Sequence, residues 1–305
     1  MSQACPSCGF ELPAASTDCP RCGVVFAKLE AQAAAASTAR PVVMALPAEP
    51  EPLSAPVPWR SLSAGAVAGA LAHAFPLTAF LLSPLVTLLH EFGHAVVAWL
   101  LGCPAIPAFD FVYGGGVTHH QNFQLPIGIA VGGIWAWLGW TFRRNPRTLV
   151  LVVTLATLWL VAISSDWRRE IVIASAGHLG ELVLGAALLG MAIAGVGWRV
   201  PEIERPLGAF AGVFVLLQTG SFAWRLRSDA GFLQDYMGGK GGALMNDLEL
   251  IALDVRIWLA VESDVPGLAG LLILCTIVSL VLAVASGLFA ERLALVFRSL
   301  RRLDR

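Results

Sequence analysis

The sequence predicts an all-α polytopic membrane protein of about six transmembrane helices, preceded by a small cysteine-bearing module. Three observations lead there. Of the 305 residues 57% are hydrophobic and only 13% charged, and the mean hydropathy is +0.73; ordinary soluble domains carry about 25% charged residues. The chain holds several apolar runs of about 18–25 residues, long enough to cross a bilayer. One of those runs carries a tight group of ionisable side chains, which are costly at membrane depth and usually functional there. A net charge of −1 lacks the basic signature of a nucleic-acid binder, so no nucleic-acid partner is expected.

The composition divides the chain into residues 1–27, a module with four cysteines; 28–60, a flexible Ala/Pro-rich linker; 61–290, the membrane region; and 291–305, a basic tail. In the first part, Cys5-Pro-Ser-Cys8 and Cys19-Pro-Arg-Cys22 form two CxxC pairs. Each pair bends into a knuckle presenting two thiolates, and Gly9 and Gly23 follow to permit the tight turn. Four thiolates close a structural tetrahedral zinc site, so the spacing predicts a zinc ribbon. Residues 1–30 lack the apolar core of a secretory signal, which argues for a reducing compartment and against two disulfides. No βαβ pattern surrounds either pair, as a thioredoxin-like role would need. A closed site has no open position for catalysis, so docking to a cytoplasmic protein partner, or regulation, is expected of the ribbon. The linker cannot bury a core and reads as an extended tether.

Candidate spans in the membrane region are residues 62–80, 81–102, 125–142, 148–164, 171–195, 206–224 and 266–290. An arginine-rich tail predicts a cytoplasmic C-terminus. With a cytoplasmic ribbon as well, seven full crossings cannot place both ends on one side. The weakest span is 62–80, rich in Gly and Ala and interrupted by His73 and Pro76.

The run at 81–102 would reach roughly 30 Å as a helix, the thickness of the hydrocarbon core. It contains His90-Glu91-Phe92-Gly93-His94, an H-E-x-x-H motif. Positions i and i+4 share a helix face, so both imidazoles can reach one zinc ion. Glu91 stands where the motif places a general base for a zinc-bound water. On a soluble helix such residues could simply face water, but this run has no soluble face. Beyond it, residues 112–118 could form a strand with a glycine turn, a short β-hairpin able to hold an extended peptide by strand addition. His119 and His120 read as solvated, since adjacent strand side chains point to opposite faces.

Span 171–195 carries a second polar group, in which His178 and Glu181 are three residues apart on one helix face. They read equally as a self-satisfied pair or as groups near the metal, either beside the ligands or as a ligand. Gly177 and Gly180 would let another helix approach closely. Residues 225–264 are the long polar interlude. The Gly238–Gly242 glycines read as a hinge, because the spacing of a phosphate loop is missing. Leu244, Leu248, Ile251, Val255 and Trp258 then form a helical stripe, and Asn246 with Glu249 resembles a capping box starting that helix near Asp247. Asp247 reads either as a first-turn carboxylate or as a third metal ligand.

With HEFGH in an apolar run, then GGGVT, then SAGHLGELVLG in a later span, residues 80–260 resemble the site-2 protease family of intramembrane zinc metalloproteases, in its bacterial branch. The resemblance implies an HExxH-type zinc metalloendopeptidase of the bacterial inner membrane, acting in or near a transmembrane segment of a membrane-protein substrate. It implies one catalytic Zn2+ held by His90 and His94, Glu91 as base, and a downstream Asp as third ligand. Asn246-Asp247-Leu248 matches that acidic position best, with Asp254 and Glu181 as the other candidates. The family's usual N-x-x-P-x-P-x-L-D-G motif is absent. Two alternatives from other classes are a non-proteolytic di-metal redox protein, in which Glu91, His94, His178 and Glu181 would house two metals, and an inactive protease-like adaptor.

Overall fold

A computed structural model of the chain describes residues 2–13, 16–29, 59–110, 115–238 and 245–289. The tether at 30–58, the hairpin tip at 111–114, most of the glycine hinge, Leu244 and the basic tail lie outside the described residues. The chain divides into two compact units, Met1–Ser54 and Ala55–Arg305.

In the first unit β1 (Ser2–Ala4) pairs antiparallel with β2 (Glu11–Pro13), Gln3 opposite Leu12. Gly9 and Gly23 adopt φ of +71° and +70°, the left-handed region where a side chain is strained. Their N–H groups donate to the carbonyls of Cys5 and Cys19, each at 2.8 Å, closing two equivalent turns.

Among the described residues the second unit is helical apart from one hairpin. Helix α1 (Trp59–Ala74) is followed by α2 (Pro76–Leu100), and the hairpin β3 (Ala105–Asp110) and β4 (Gly115–His120) comes next. Helices α3 (Leu125–Thr141), α4 (Pro146–Ile163), α5 (Asp166–Ala194) and α6 (Pro201–Ser228) follow. The series ends with α7 (Ala230–Gly238), α8 (Asp247–Leu259) and α9 (Val265–Leu288). Five of these, α2, α4, α5, α6 and α9, are long and apolar enough to cross a membrane. The protein is thus a mostly helical, polytopic membrane fold with only small sheets.

The boundary expected near residue 80 falls instead at Phe75. Proline disfavours helical backbone in the residue before it and suits the first helical position. Phe75 is extended (ψ 118°), and Pro76 opens a 25-residue α2. The run expected at 62–80 is thereby cut to the 16-residue α1, which is not among the candidate spans. The run at 125–142 forms the shorter apolar α3.

Helices α5 and α6 occupy the centre: 39% and 44% of their most apolar windows are buried, against 6% for α4. Their contact core joins Leu182 and Leu189 of α5 to Leu216 of α6, Leu62 of α1 and Leu272 of α9. Helix α1 lies close on α6 because a Cβ on Gly69 would stand 2.5 Å from the Phe210 carbonyl oxygen. Buried Arg205 donates from Nε to the Ala192 carbonyl (2.9 Å) and from Nη2 to Ile193 (3.1 Å), satisfying the C-terminal end of α5.

Helix α2 turns Leu85, Leu88, Phe92, Val96 and Trp99 outward and Val86, Glu91, His94, Ala95 and Ala98 inward. The hairpin packs against it. Its register runs from Ala105 opposite His120 to Asp110 opposite Gly115, and Trp99 Nε1 donates to the Ala105 carbonyl at 2.9 Å.

Candidate metal centre

Helices α2 and α5 cross at glycines, and this crossing builds the site. A Cβ on Gly180 would lie 3.1 Å from the Gly93 Cα. One on Gly177 would lie 2.5 Å from Nε2 of both His90 and His94. The close approach expected of Gly177 and Gly180 is therefore an approach to the H-E-x-x-H helix itself.

Each imidazole is held by its Nδ1. His90 Nδ1 donates to Glu181 Oε1 at 2.7 Å, and His94 Nδ1 donates to the Ile173 carbonyl at 2.6 Å, both acceptors on α5. Both Nε2 atoms then point to one place. They are 3.0 Å apart, and Asp247 Oδ2 lies 2.8 Å from that of His90 and 3.2 Å from that of His94. Tetrahedral zinc with bonds of about 2.0–2.1 Å would hold its ligand atoms roughly 3.3–3.4 Å apart. The triangle is slightly tight but of the right size, and its two imidazoles and one carboxylate are an ordinary zinc donor set. Oriented Nδ1 partners are also what metal-binding histidines require. His178 stands beside the triangle: its ring centroid is 4.6 Å from that of His90. His90, His178 and Asp247 also offer ligand atoms within 4.8 Å of one another, so this group could bind a metal.

Asp247 is positioned by its neighbours. It is the first residue of α8, whose capping box sets Asn246 N–H on Glu249 Oε2 at 2.9 Å, as the sequence pattern suggests. Tyr236 of α7 holds both flanks: Asn246 Nδ2 donates to its carbonyl at 2.5 Å, and the Leu248 N–H to its hydroxyl at 3.3 Å. Asp254, two helical turns further along α8 and roughly 10 Å away by helix rise, does not line the cavity.

Glu181 has no free oxygen. It is buried, with Oε1 accepting from His90 and Oε2 from the Thr219 hydroxyl at 2.5 Å; His178 Nδ1 stands 3.5 Å from Oε2. It orients His90 rather than reaching the triangle.

Glu91 is buried against β4. The Thr118 hydroxyl donates to its Oε2 at 2.6 Å, and a Cβ on Gly116 would lie 2.5 Å from its Oε1. A cavity of about 490 Å3 joins these groups, lined by His90, Glu91, Gly116, Thr118, His178 and Asp247 among others. His119 is exposed, as expected. His120 is not simply solvated: its Nε2 lies 3.4 Å from Glu170 Oε2 at the cavity edge, because alternation on β4 turns it inward.

In the first unit the four cysteines are free thiols. Cys5 and Cys22 sulfurs are 3.8 Å apart, and those of Cys8 and Cys19 are 3.7 Å apart. Tetrahedral zinc–thiolate bonds of about 2.3 Å would space the sulfurs by roughly 3.8 Å, so this cluster too could bind a metal. Cys103 and Cys275, in the second unit, are free thiols as well.

Sequence reasoning missed Tyr236, Thr219 and the Ile173 carbonyl. Thr219 had a signal, the polar pair Gln218-Thr219 inside an apolar span, whereas a backbone carbonyl has none. No protein-family model, curated protein or solved structure matches this chain. The class it defines is therefore read from its own geometry: a membrane-embedded helical protein with a His/Asp centre able to take a metal, and a four-cysteine module.

Proposed function

We propose that the chain is an intramembrane zinc metallopeptidase that hydrolyses a peptide bond in or near a transmembrane segment of a membrane protein. The observation that carries this reading is the convergence of His90 Nε2, His94 Nε2 and Asp247 Oδ2 within 3.2 Å of one another, beside Glu91 in one cavity. His90, His94 and Asp247 would hold the ion, and Asp254 and Glu181 would not.

Bound zinc would supply Lewis acidity, polarising the scissile carbonyl and lowering the pKa of water to about 7. The chain's own residues supply the rest. Water adds to the scissile carbonyl carbon as Glu91 takes its proton; the C–N bond then breaks and Glu91 returns the proton to the departing amine. Thr118 fixes one oxygen of Glu91, which leaves the other for that proton. Glycine at 116 lets the carboxylate lie against the strand. A helical substrate has its carbonyls already hydrogen-bonded, so it must be unwound before cleavage. Strand β4 pairs with β3 on one side only, and Gly115–Thr118 line the cavity, so its other edge suits an extended substrate.

The N-terminal unit is proposed as a structural zinc ribbon that docks a cytoplasmic partner; with the 17-residue α3 as a sixth crossing beside the five longer spans, both chain ends fall on the cytoplasmic side of a bacterial inner membrane. The engagement of both Glu181 oxygens favours a single-metal centre over a di-metal redox site, which needs that carboxylate as a ligand.

The test compares membranes from cells expressing the wild-type chain or Glu91→Gln, by mapping new protein N-termini and measuring zinc in the purified proteins. Two zinc ions per chain in both proteins, with new termini in or beside membrane spans only for the wild type, are expected. Iron in place of zinc, or equal cleavage by the variant, would remove the assignment.

A further inference from the structure

A second cavity, of about 730 Å3, opens between the C-terminal half of α2, helices α3 and α4, the start of α5 and the end of α8. Its walls are apolar, with Val97, Leu101, Val131 and the rings of Trp135, Trp159 and Trp167. Three features are incomplete there. The volume is unfilled, within the range of about 300–1,000 Å3 typical of ligand sites. Trp135 Nε1 is buried and finds no acceptor, whereas Trp159 Nε1 donates to the Leu100 carbonyl at 2.8 Å. Arg168, at the rim, lies 4.9 Å over the Trp167 ring and donates to the Ser164 hydroxyl at 2.5 Å, with no carboxylate in ion-pair distance among the described residues. Its neighbour Arg169 pairs with Asp166.

The size decides between two classes of occupant. A membrane-crossing helix about 10 Å across and about 30 Å long fills roughly 2,400 Å3. The cavity holds less than a third of that, which suits an acyl chain, whereas a helix lying in it would stay mostly outside. One wall is α4, the candidate span least buried in the protein, which places the crevice at the periphery of the bundle where lipid would meet it. Trp167 stacks on Trp258 with ring centroids 5.8 Å apart, and this Trp/Arg cluster at the start of α5 suits the headgroup level. A phosphate there would answer Arg168.

We propose that this crevice between α2, α3 and α4 is a binding site for one anionic glycerophospholipid, its acyl chain among the tryptophans and its phosphate on Arg168. The site is independent of whether the metal centre cleaves peptides.

The experiment titrates the purified full-length chain in detergent with phosphatidylglycerol or phosphatidylcholine, each brominated in its acyl chains, and follows tryptophan fluorescence. Saturable quenching is expected, with phosphatidylglycerol favoured about fivefold, as one arginine–anionic lipid contact implies. Arg168→Gln should bring the two lipids together. Val131→Phe should fill the crevice and remove the saturable component. Native mass spectrometry of the unmutated chain should retain one phospholipid, a readout that survives if a variant fails to fold. Equal, non-saturating quenching by both lipids, or displacement of the brominated lipid by a synthetic transmembrane peptide, would overturn the proposal.

Discussion

Gly177→Ala adds one methyl group at the point where α5 presses on the two imidazoles. The new carbon would start 2.5 Å from Nε2 of both His90 and His94, and ordinary contact begins near 3.4 Å, so about 0.9 Å must be found. The rings have little freedom to yield, because Glu181 and the Ile173 carbonyl hold their Nδ1 atoms at 2.7 and 2.6 Å. Alanine favours a helix over glycine by about 0.5–1 kcal/mol, so α5 itself is not weakened. The strain falls on the ligand geometry. Disturbing the groups that orient metal ligands typically costs 10- to 100-fold in affinity, and a loss of about that size is expected for zinc. Chelator competition on a chain whose four N-terminal cysteines are changed to serine isolates the membrane site. Gly133→Ala is the control, since its Cβ would meet nothing within 4 Å. If Gly177→Ala keeps zinc against the chelator as firmly as the control, the two Nε2 atoms do not share an ion and the argument fails.

Asp247→Asn should release the membrane-site zinc while Asp254→Asn keeps it, read by metal content after gel filtration; the reverse result would move the third ligand down α8. Glu181→Ala should weaken zinc binding about 10- to 100-fold by freeing His90 Nδ1, with Glu181→Gln milder, both measured by the same chelator competition. Arg205→Met should destabilise the bundle by about 1–3 kcal/mol, because two buried α5 carbonyls lose their donor, and a lowered midpoint in denaturing detergent checks it. The His120–Glu170 contact raises the His120 pKa above its ordinary 6.5, so its contribution is full below about pH 6.5 and is lost as the pH rises through the raised value. Both side chains are partly exposed, so the term stays within about 1 kcal/mol; the thermal difference between wild type and His120→Gln should be largest below about pH 6.5 and shrink as the pH rises.

Particular residues show how far a linear reading reaches. The pairing of His90 with His94 follows from helical periodicity alone, and α2 indeed turns both toward the protein while its Leu and Phe stripe faces outward. The four cysteines are equally local: two turns, each closed by a glycine at positive φ, bring the sulfurs to metal spacing. The start of α8 at Asp247 was written in Asn246 and Glu249, since capping is a contact between residues three apart. The start of α2 was misjudged because hydropathy is continuous from residue 77 onward, while the break is made by proline sterics at Phe75.

What the chain alone determined rests on near neighbours: most of the apolar spans, the inward His pair, the knuckles and the cap. Only the tertiary structure decided which acid lies beside the two imidazoles, because Asp247 and His90 are 157 residues apart and Asp247, Asp254 and Glu181 are chemically alike in sequence. Packing separates them. Gly93 and Gly177 let α5 come close enough for Glu181 to take His90 Nδ1, and Tyr236 holds the first turn of α8 so that Asp247, not Asp254, meets the two Nε2 atoms.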